Sequence, residues 1–355
     1  MSKIVYLLGA GASFGKRAPK PTTKDDYEEG AIIEGLPIVK ELPERMEYVV
    51  KLLSTYQFDT QTVGYGKFVT EFKQGVDNYL ETIINDLWEL MEHCRGHASI
   101  DTYAKKLWLT NDTNTFNKVK GLIGLYFTIE QIINEPDKRY DTFLASVLQK
   151  ESRNLPEEMC VLSWNYDSQI TIACKNYGES YDLTICDRMM AHQFVDDARC
   201  KIIQLNGSAT LSKLSNLLYS IDYSLPADKR LTNDILLSLL TAYAKGDYNF
   251  KSHIAFAWED DNQNEINNLL QSKITDAQVL VVIGYSFPFF NREVDQKVFS
   301  MMPNLSKIYI QSKDPEEVEQ SMRAAFYQFQ TANQHLNNNI VKLANVEQFY
   351  LPAEL

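Results

Sequence analysis

The chain lacks three features that would assign it to large classes of protein. None of its five cysteines forms a CxxC pair, which argues against a structural zinc site. No apolar run approaches the roughly twenty residues of a membrane span, and no long apolar signal core follows the first residue. Lysine and arginine form no dense cluster and the net charge is -12, which disfavours direct binding to nucleic acid.

The odd number of cysteines, without the spacing of a disulfide framework, is typical of a reducing compartment. These absences together predict a soluble, cytoplasmic protein without a metal site. With 355 residues, of which 45% are hydrophobic, the chain is long enough to bury a large core.

Short apolar runs alternate with amphipathic helical segments in the C-terminal half of the chain. Such alternation predicts an α/β fold with a doubly wound, mostly parallel, Rossmann-like sheet. The run 278–283 is apolar throughout and is expected at the centre of the sheet, where both faces are buried. The predicted strands are 3–8, 159–163, 201–205, 252–256, 278–283 and 307–311, and the helices among them are 167–176, 233–244, 265–275, 291–301 and 315–329.

A large helical insertion separates the first predicted strand from the others. Apolar residues recur at helical spacing through 67–150, and a further short helix is predicted near 42–54 in an otherwise irregular segment, 16–66. The predicted organisation is therefore a Rossmann-like domain formed by 1–19 and 156–355, with 20–155 as a mainly helical insertion.

The first strand runs directly into Gly9-Ala10-Gly11-Ala12-Ser13-Phe14-Gly15. Small residues at this point let the backbone turn sharply and approach a pyrophosphate, and amides at a helix start would face the anion. The dinucleotide fingerprint is incomplete, because Phe14 occupies the position of its third glycine. A tight turn that binds nothing is the alternative. The acids that could read a ribose are Glu28, Glu29 and Glu34, none of which ends an obvious second strand.

Three further predicted strands end in small or polar residues. Trp164-Asn165-Tyr166-Asp167 follows the strand at 159–163, Asn206-Gly207-Ser208 follows the strand at 201–205, and Gly284-Tyr285-Ser286-Phe287-Pro288 follows the strand at 278–283. Ligands of open parallel sheets bind at the carboxyl ends of the strands. Four such ends predict one shared ligand site.

The motifs GAGAS, WNYD, NGS and IGYSFP occur in the order found in sirtuins. The chain resembles most the sirtuin-like NAD-consuming domains of bacterial anti-phage defence proteins. The resemblance covers the sheet elements, whereas the helical insertion is matched only in kind. It implies that NAD is a substrate whose bond between nicotinamide and ribose is hydrolysed. It also implies a homo-oligomer, or control by a protein partner such as a ring-forming ATPase.

The same resemblance implies a role for each motif. Asn165 would hold the nicotinamide ribose or the attacking water, and Asp167 would cap the following helix and brace its loop. The loop after the first strand would line the diphosphate, and the loop at 284–288 would approach the adenosine. Besides Asn165, the implied NAD-binding residues are Gly9, Ala10, Gly11, Ala12, Ser13, Asp167, Gly207, Ser208, Gly284, Tyr285 and Ser286.

The chain departs from the family pattern at Asn206, which stands where a catalytic histidine is expected. An amide can hydrogen-bond a ribose hydroxyl but cannot accept its proton, whereas histidine is a good general base near neutral pH. His192 or His253 could supply the base. Alternatively, Asn165 could orient water without a base, or NAD could be bound without being cleaved.

Three hypotheses remain open from the sequence. The first is an NAD glycohydrolase in which Asn165 and Asn206 act at the reacting ribose. The second is a catalytically silent regulatory subunit that binds NAD or ADP-ribose, and the third is a structural subunit with a vestigial pocket. Protein deacylation is not expected, because the histidine and the four-cysteine zinc module that accompany it in the family are both missing.

Overall fold

The computed structural model describes residues 3–15, 34–57, 68–150, 154–177, 184–194, 197, 199–211, 217–244, 252–259, 263–326, 336 and 338–355. The candidate ribose-reading acids Glu28 and Glu29 lie outside these residues. So does most of the segment that was predicted to be irregular, at 16–33 and 58–67.

Within the described residues, seven strands form one parallel sheet and two more pair separately. The strands are β1 (Ile4–Leu8), β2 (Met159–Ser163), β3 (Thr184–Asp187), β4 (Cys200–Gln204), β5 (Gly207–Leu211), β6 (Ser252–Ile254), β7 (Val279–Ile283), β8 (Lys307–Gln311) and β9 (Ile340–Leu343). The order across the large sheet is β3-β4-β2-β1-β7-β8-β9, and every pairing in it is parallel. The predicted α/β class with a Rossmann-like sheet is therefore confirmed.

The helices of the described residues fall before β2 or between the strands. They are α1 (Leu42–Thr55), α2 (Phe68–Gly96), α3 (Ile100–Leu109), α4 (Thr113–Ile133), α5 (Lys138–Val147), α6 (Gln169–Lys175), α7 (Leu217–Ser220), α8 (Ala227–Arg230), α9 (Asn233–Ala244), α10 (Gln263–Ile274), α11 (Arg292–Ser300) and α12 (Pro315–Ala325). Short 3-10 helices occur at Ala10–Ser13, Val39–Glu41, Arg188–Gln193 and Phe289–Asn291.

Both faces of the sheet are buried, because alternate residues of each inner strand enter different cores. Val5 and Leu7 of β1 pack in a core formed with α10, α11 and α12. Tyr6 and Leu8 pack in the opposite core, which includes α5 and α6. This two-sided burial explains why β1, β2 and β7 read as continuous apolar runs.

The interior strands β1, β2, β4, β7 and β8 match the predicted apolar runs to within one or two residues. The run predicted at 252–256 is different: only Ser252–Ile254 is a strand, and it pairs with β5 instead of joining the large sheet. The edge strands β3 and β9 were not predicted, because each has only four residues and pairs with a single neighbouring strand.

The chain divides into two compact units, and their limits differ from the predicted ones. The sheet unit comprises Met1–Lys20, Pro136–Ser208 and Ile254–Leu355, and the helical unit comprises Pro21–Glu135 and Ala209–His253. The insertion was predicted to be 20–155. In the structure, residues 136–155 belong to the sheet unit and residues 209–253 belong to the helical unit.

Packing explains both changes. Helix α5 belongs with the sheet because Phe143 meets the ring of Tyr6 edge to face, with centroids 5.1 Å apart. The segment from 209 to 253 belongs with the helices. There Tyr223 Oη donates to Gln131 O over 3.1 Å, and Thr128 Oγ1 donates to Ala209 O over 3.3 Å.

Candidate functional site

Four of the strand ends singled out in the sequence are neighbours in the sheet, in the order β4, β2, β1, β7. On one side of β1 the sheet continues with β2, β4 and β3. On the other side it continues with β7, β8 and β9, which come later in the chain. The strand order therefore reverses between β1 and β7. In open parallel sheets such a switch point, at the carboxyl ends of the strands, is where ligands bind.

The loops after β1 and β7 touch each other through glycine. A Cβ atom on Gly9 would lie 2.6 Å from Tyr285 Cα, and one on Gly11 would lie 2.8 Å from Gly284 Cα. Gly284 has a φ of +60°, and a Cβ there would lie 2.4 Å from the carbonyl carbon of Gly11. Glycine at positions 9, 11 and 284 therefore allows the two loops to pack directly against each other.

The backbone amides of the first loop are also engaged. Gly9 N donates to Ile283 O over 3.0 Å, Gly11 N donates to Gly284 O over 2.9 Å, and Ala12 N donates to Gly9 O over 2.8 Å. The segment Ala10–Ser13 is a four-residue 3-10 helix. The prediction that the amides of this loop face an anion is therefore wrong for these three groups. Ala10 and Gly11 do keep part of their surface exposed to solvent.

The start of α5 braces the same loop. Arg139 Nη2 donates to Gly11 O and to Ala12 O, each over 3.1 Å, and pairs with Asp137 Oδ2 at 2.6 Å. Asp137 Oδ2 also accepts a hydrogen bond from Gly15 N over 2.9 Å. The carbonyl end of the short 3-10 helix is thus held by a buried ion pair, which the sequence analysis did not find.

Asn165, directly after β2, is buried at the centre of the site. Its Nδ2 donates to Gly9 O over 2.9 Å and to Ser13 Oγ over 3.0 Å. Because a carbonyl oxygen only accepts, this contact fixes which atom of the amide is nitrogen. Both contacts use the amide nitrogen, so Oδ1 is turned away from Gly9 O and Ser13 Oγ. The side chain therefore offers a fixed acceptor.

Asp167, two residues after Asn165, is a buried carboxyl with a raised pKa. Its Oδ1 accepts from Gln169 N over 2.9 Å at the first residue of α6, whereas the N-cap of that helix is Ser168 and not Asp167 as predicted. Burial raises the pKa of Asp167 to about 6, although hydrogen bonds from Gln169 N and Ser13 oppose the rise. Ser13 Oγ lies 2.9 Å from Tyr140 Oη as well, so one hydroxyl links α5 with the ends of β1 and β2.

Asn206, after β4, braces the loop that carries Asn165. Its Nδ2 donates to Trp164 O over 2.9 Å, and its backbone O accepts from Ala255 N over 2.8 Å. Its Oδ1 is buried and has no hydrogen-bond partner among the described residues. A buried acceptor without a donor costs about 1–3 kcal/mol, and in native structures it marks a place for a water molecule or a ligand.

The remaining predicted residues have fewer described contacts with Asn165 and Asn206. Gly207, with a φ of +69°, and Ser208 are buried at the start of β5. Ser286 is exposed. His192 is exposed in the 3-10 helix Arg188–Gln193, and His253 lies in β6. Neither histidine has a hydrogen bond described to Asn165 or Asn206.

A second buried carboxyl, which the sequence analysis also missed, lies beside the loop after β7. Asp295 of α11 is 1% exposed and accepts a hydrogen bond from Tyr285 Oη at 2.8 Å. Burial raises the pKa of Asp295 to about 8, and interactions with Tyr285 and with the indole of Trp164 oppose that rise. The Trp164 contact does not have the geometry of a hydrogen bond, since the indole nitrogen has no such partner.

One exposed cation also lies near the first loop. Lys313, shortly after β8, places Nζ 4.5 Å from the centroid of the Phe14 ring. The proximity of Lys313 to Phe14 could not be predicted from the sequence, because the two residues are far apart in the chain. Arg139 and Tyr140 were missed for the same reason, because each is far along the chain from the loop that it contacts. Asp295 lies only ten residues after Tyr285, and no motif in the sequence singles it out.

No cluster of three or more histidine, cysteine, aspartate or glutamate side chains in the described residues is arranged to hold a metal ion. In the same part of the chain, none of the helices is long and apolar enough to cross a membrane. Comparison with protein-family models, with curated proteins and with solved structures finds no match to this chain.

Proposed function

We propose that this protein is an NAD glycohydrolase, in which water replaces nicotinamide at the ribose carbon and ADP-ribose is released. The single observation that carries the proposal is the pair of asparagines at neighbouring strand ends. Asn165 Nδ2 and Asn206 Nδ2 each donate to a backbone carbonyl, which turns each amide oxygen away from that carbonyl, and Asn206 Oδ1 is buried without a donor among the described residues. Two oriented acceptors suit the hydroxyl groups of a ribose and the O–H of an attacking water.

The position of this pair at the switch point of the sheet supports a nucleotide ligand. NAD would lie over the part-exposed turn at Ala10 and Gly11, with its adenosine toward Gly284 and Ser286. Because three amides of the first loop are already engaged, Lys313 would supply positive charge for the diphosphate.

The mechanism needs little help from a base. Nicotinamide departs from a ribosyl centre with oxocarbenium character, so the enzyme has chiefly to exclude bulk solvent and hold one water in line. Asn165 Oδ1 would accept a hydrogen bond from that water, and Asn206 Oδ1 would accept one from a ribose hydroxyl. As the water oxygen bonds to the ribose carbon and the bond to nicotinamide breaks, the proton of the water is released to solvent. Asn206 cannot act as a general base, and the slower turnover that this implies suits an enzyme that must stay silent until it is triggered.

The test is release of nicotinamide from NAD, followed by chromatography, with the wild type and Asn165→Ala. We expect the variant to lose at least about 100-fold in rate, because the water is no longer oriented. Asn304→Ala is the matched control, since Asn304 is an exposed asparagine that precedes β8 and lies outside the loops that follow the strands. Equal rates for the wild type and Asn165→Ala would remove Asn165 from the mechanism.

A second candidate function is supported by Asn206 itself. An amide in place of a base favours a subunit that binds NAD or ADP-ribose and regulates a partner without hydrolysis. Tight binding by calorimetry with no release of nicotinamide, alone or with a partner, would select this function. No affinity for either ligand would leave a structural subunit.

The wider setting follows from the resemblance to sirtuin-like defence proteins and is part of the proposal. An enzyme that depletes NAD would harm its own cell, so we propose that oligomerisation or a protein partner, such as a ring-forming ATPase, controls it in the cytoplasm. Nicotinamide release measured across a range of protein concentrations, with and without the product of the neighbouring gene, tests this part separately.

A further inference from the structure

Asp295 is a buried carboxyl for which the proposed reaction provides no use. It is 1% exposed on α11, and no basic side chain among the described residues forms an ion pair with it. Burying a carboxyl without a cation is costly, so such a group is expected to serve the residues around it.

A chain of hydrogen bonds joins Asp295 to the loop after β7. Asn291 Nδ2 donates to Tyr285 Oη over 3.0 Å, and Tyr285 Oη donates to the Asp295 carboxyl at 2.8 and 3.0 Å from its two oxygens. The phenol oxygen is therefore held from both sides. The ring of Tyr285, which is 4% exposed, has its direction set by these contacts.

The Tyr285 ring in turn meets the loop that carries Asn165. Trp164 stacks on Tyr285 with ring centroids 5.8 Å apart and planes 19° apart, and the next residue is Asn165. The backbone of Trp164 is tied at both ends, because its N donates to Leu8 O and its O accepts from Asn206. The ring contact with Tyr285 and these two backbone hydrogen bonds together hold the residue that precedes Asn165.

We propose that Asp295 is a positioning residue: through Tyr285 it holds Trp164, and with it the Asn165 amide, at the switch point of the sheet. The inference rests on the proposed function for its catalytic consequence. The positioning itself is a property of the protein without ligand and can be measured in the absence of NAD.

The contacts assign the effect to the hydrogen bond with Tyr285. Asparagine keeps the shape of aspartate and an oxygen that can accept from Tyr285 Oη, whereas leucine keeps the volume and removes the acceptor. Tyr285→Phe removes the hydroxyl from the other side and keeps the ring that stacks on Trp164. The matched control is Glu293→Gln, which changes an exposed carboxyl on the same helix.

The experiment measures amide hydrogen exchange at residues 164–167 in the protein without ligand, relative to the amides of β8. Asp295→Leu and Tyr285→Phe are expected to speed exchange at 164–167 by about tenfold. Asp295→Asn and Glu293→Gln are expected to stay within about twofold of the wild type. In nicotinamide release, Asp295→Leu and Tyr285→Phe should lower kcat and leave KM within about twofold, because the reacting water loses its orientation and NAD keeps its other contacts.

The proposal is overturned if Tyr285→Phe, folded by circular dichroism, exchanges residues 164–167 at the wild-type rate. It is also overturned if Asp295→Asn loosens the loop as much as Asp295→Leu, because the hydrogen bond to Tyr285 would then not be the cause. If Asp295→Leu fails to fold, Tyr285→Phe carries the test. A wild type that releases no nicotinamide, alone or with the product of the neighbouring gene, would refute the proposed function, and the exchange result would still decide the role of Asp295.

Discussion

Gly11 N donates a hydrogen bond to Gly284 O over 2.9 Å, and this contact joins the loops on the two sides of the switch point. The two residues lie far apart in the chain, yet their backbones come so close that neither position has room for a side chain. A bulky residue at Gly11 would therefore disturb the loop itself. Loss of NAD binding in such a variant would not show where the diphosphate lies.

Gly284→Ala should destabilise the protein by about 2–4 kcal/mol, because alanine is strained at a φ of +60° and its Cβ would overlap Gly11. Urea unfolding followed by circular dichroism measures the change. Gly96→Ala is the control, since a Cβ there would meet nothing within 4 Å. Equal stability of the two variants would mean that the loops do not touch as described.

Arg139→Leu should lower the free energy of unfolding by about 3–5 kcal/mol, because it leaves Asp137 buried without its cation and removes the donors from Gly11 O and Ala12 O. Arg323→Leu, at the more exposed pair with Glu319, should cost no more than about 1 kcal/mol. Denaturant titrations of both variants make the comparison. Similar losses would argue against a special role of Arg139 in holding the first loop.

Asn206→His should raise the rate of nicotinamide release by about 10²–10⁴-fold, because one ring N–H can replace the hydrogen bond to Trp164 O while the other nitrogen acts as a general base. Asn206→Leu, which offers neither group, is the companion variant and should be slower than the wild type. A histidine variant no faster than the wild type would mean that position 206 does not face the reacting ribose.

Asp295 should make the stability of the protein fall as pH rises. Burial raises its pKa from 3.8 in the unfolded chain to about 8, so between these values the folded state holds a proton that the unfolded state has released. Protonation therefore favours folding, and the contribution is lost progressively up to pH 8. Between pH 6 and pH 8 the wild type should lose about 2 kcal/mol more than Asp295→Asn. Parallel pH profiles of the two proteins would refute the raised pKa.

The inner strands of the sheet were predictable because the apolar pattern that buries them lies within a few consecutive residues. A strand covered on both faces is expected to be apolar along its length; β1 and β7 are apolar throughout, and β2 is apolar up to its last residue, Ser163. The same reasoning failed at 252–256, where an apolar run is buried without entering the large sheet. It also failed at β3 and β9, whose short edge positions impose no continuous apolar pattern.

The site was predictable only in part. Asn165 and Asn206 directly follow parallel strands, so a rule about strand ends was enough to find them. Their function as hydrogen-bonded braces was not predictable, since it depends on Gly9 O, Ser13 and Trp164 O being within reach. From the sequence, Gly9 and Gly11 were predicted to make room for a diphosphate. In the structure the missing side chains make room for the loop after β7, and a sequence pattern does not distinguish these two reasons for glycine.

The amino-acid sequence by itself determined where the inner strands of a buried parallel sheet run, because continuous apolar runs and small residues act within a few positions of the chain. Only the tertiary structure decided which atoms at the strand ends are free. Arg139 and Tyr140 reach those ends from distant segments, and each buried donor or acceptor that they satisfy is one that a ligand no longer can.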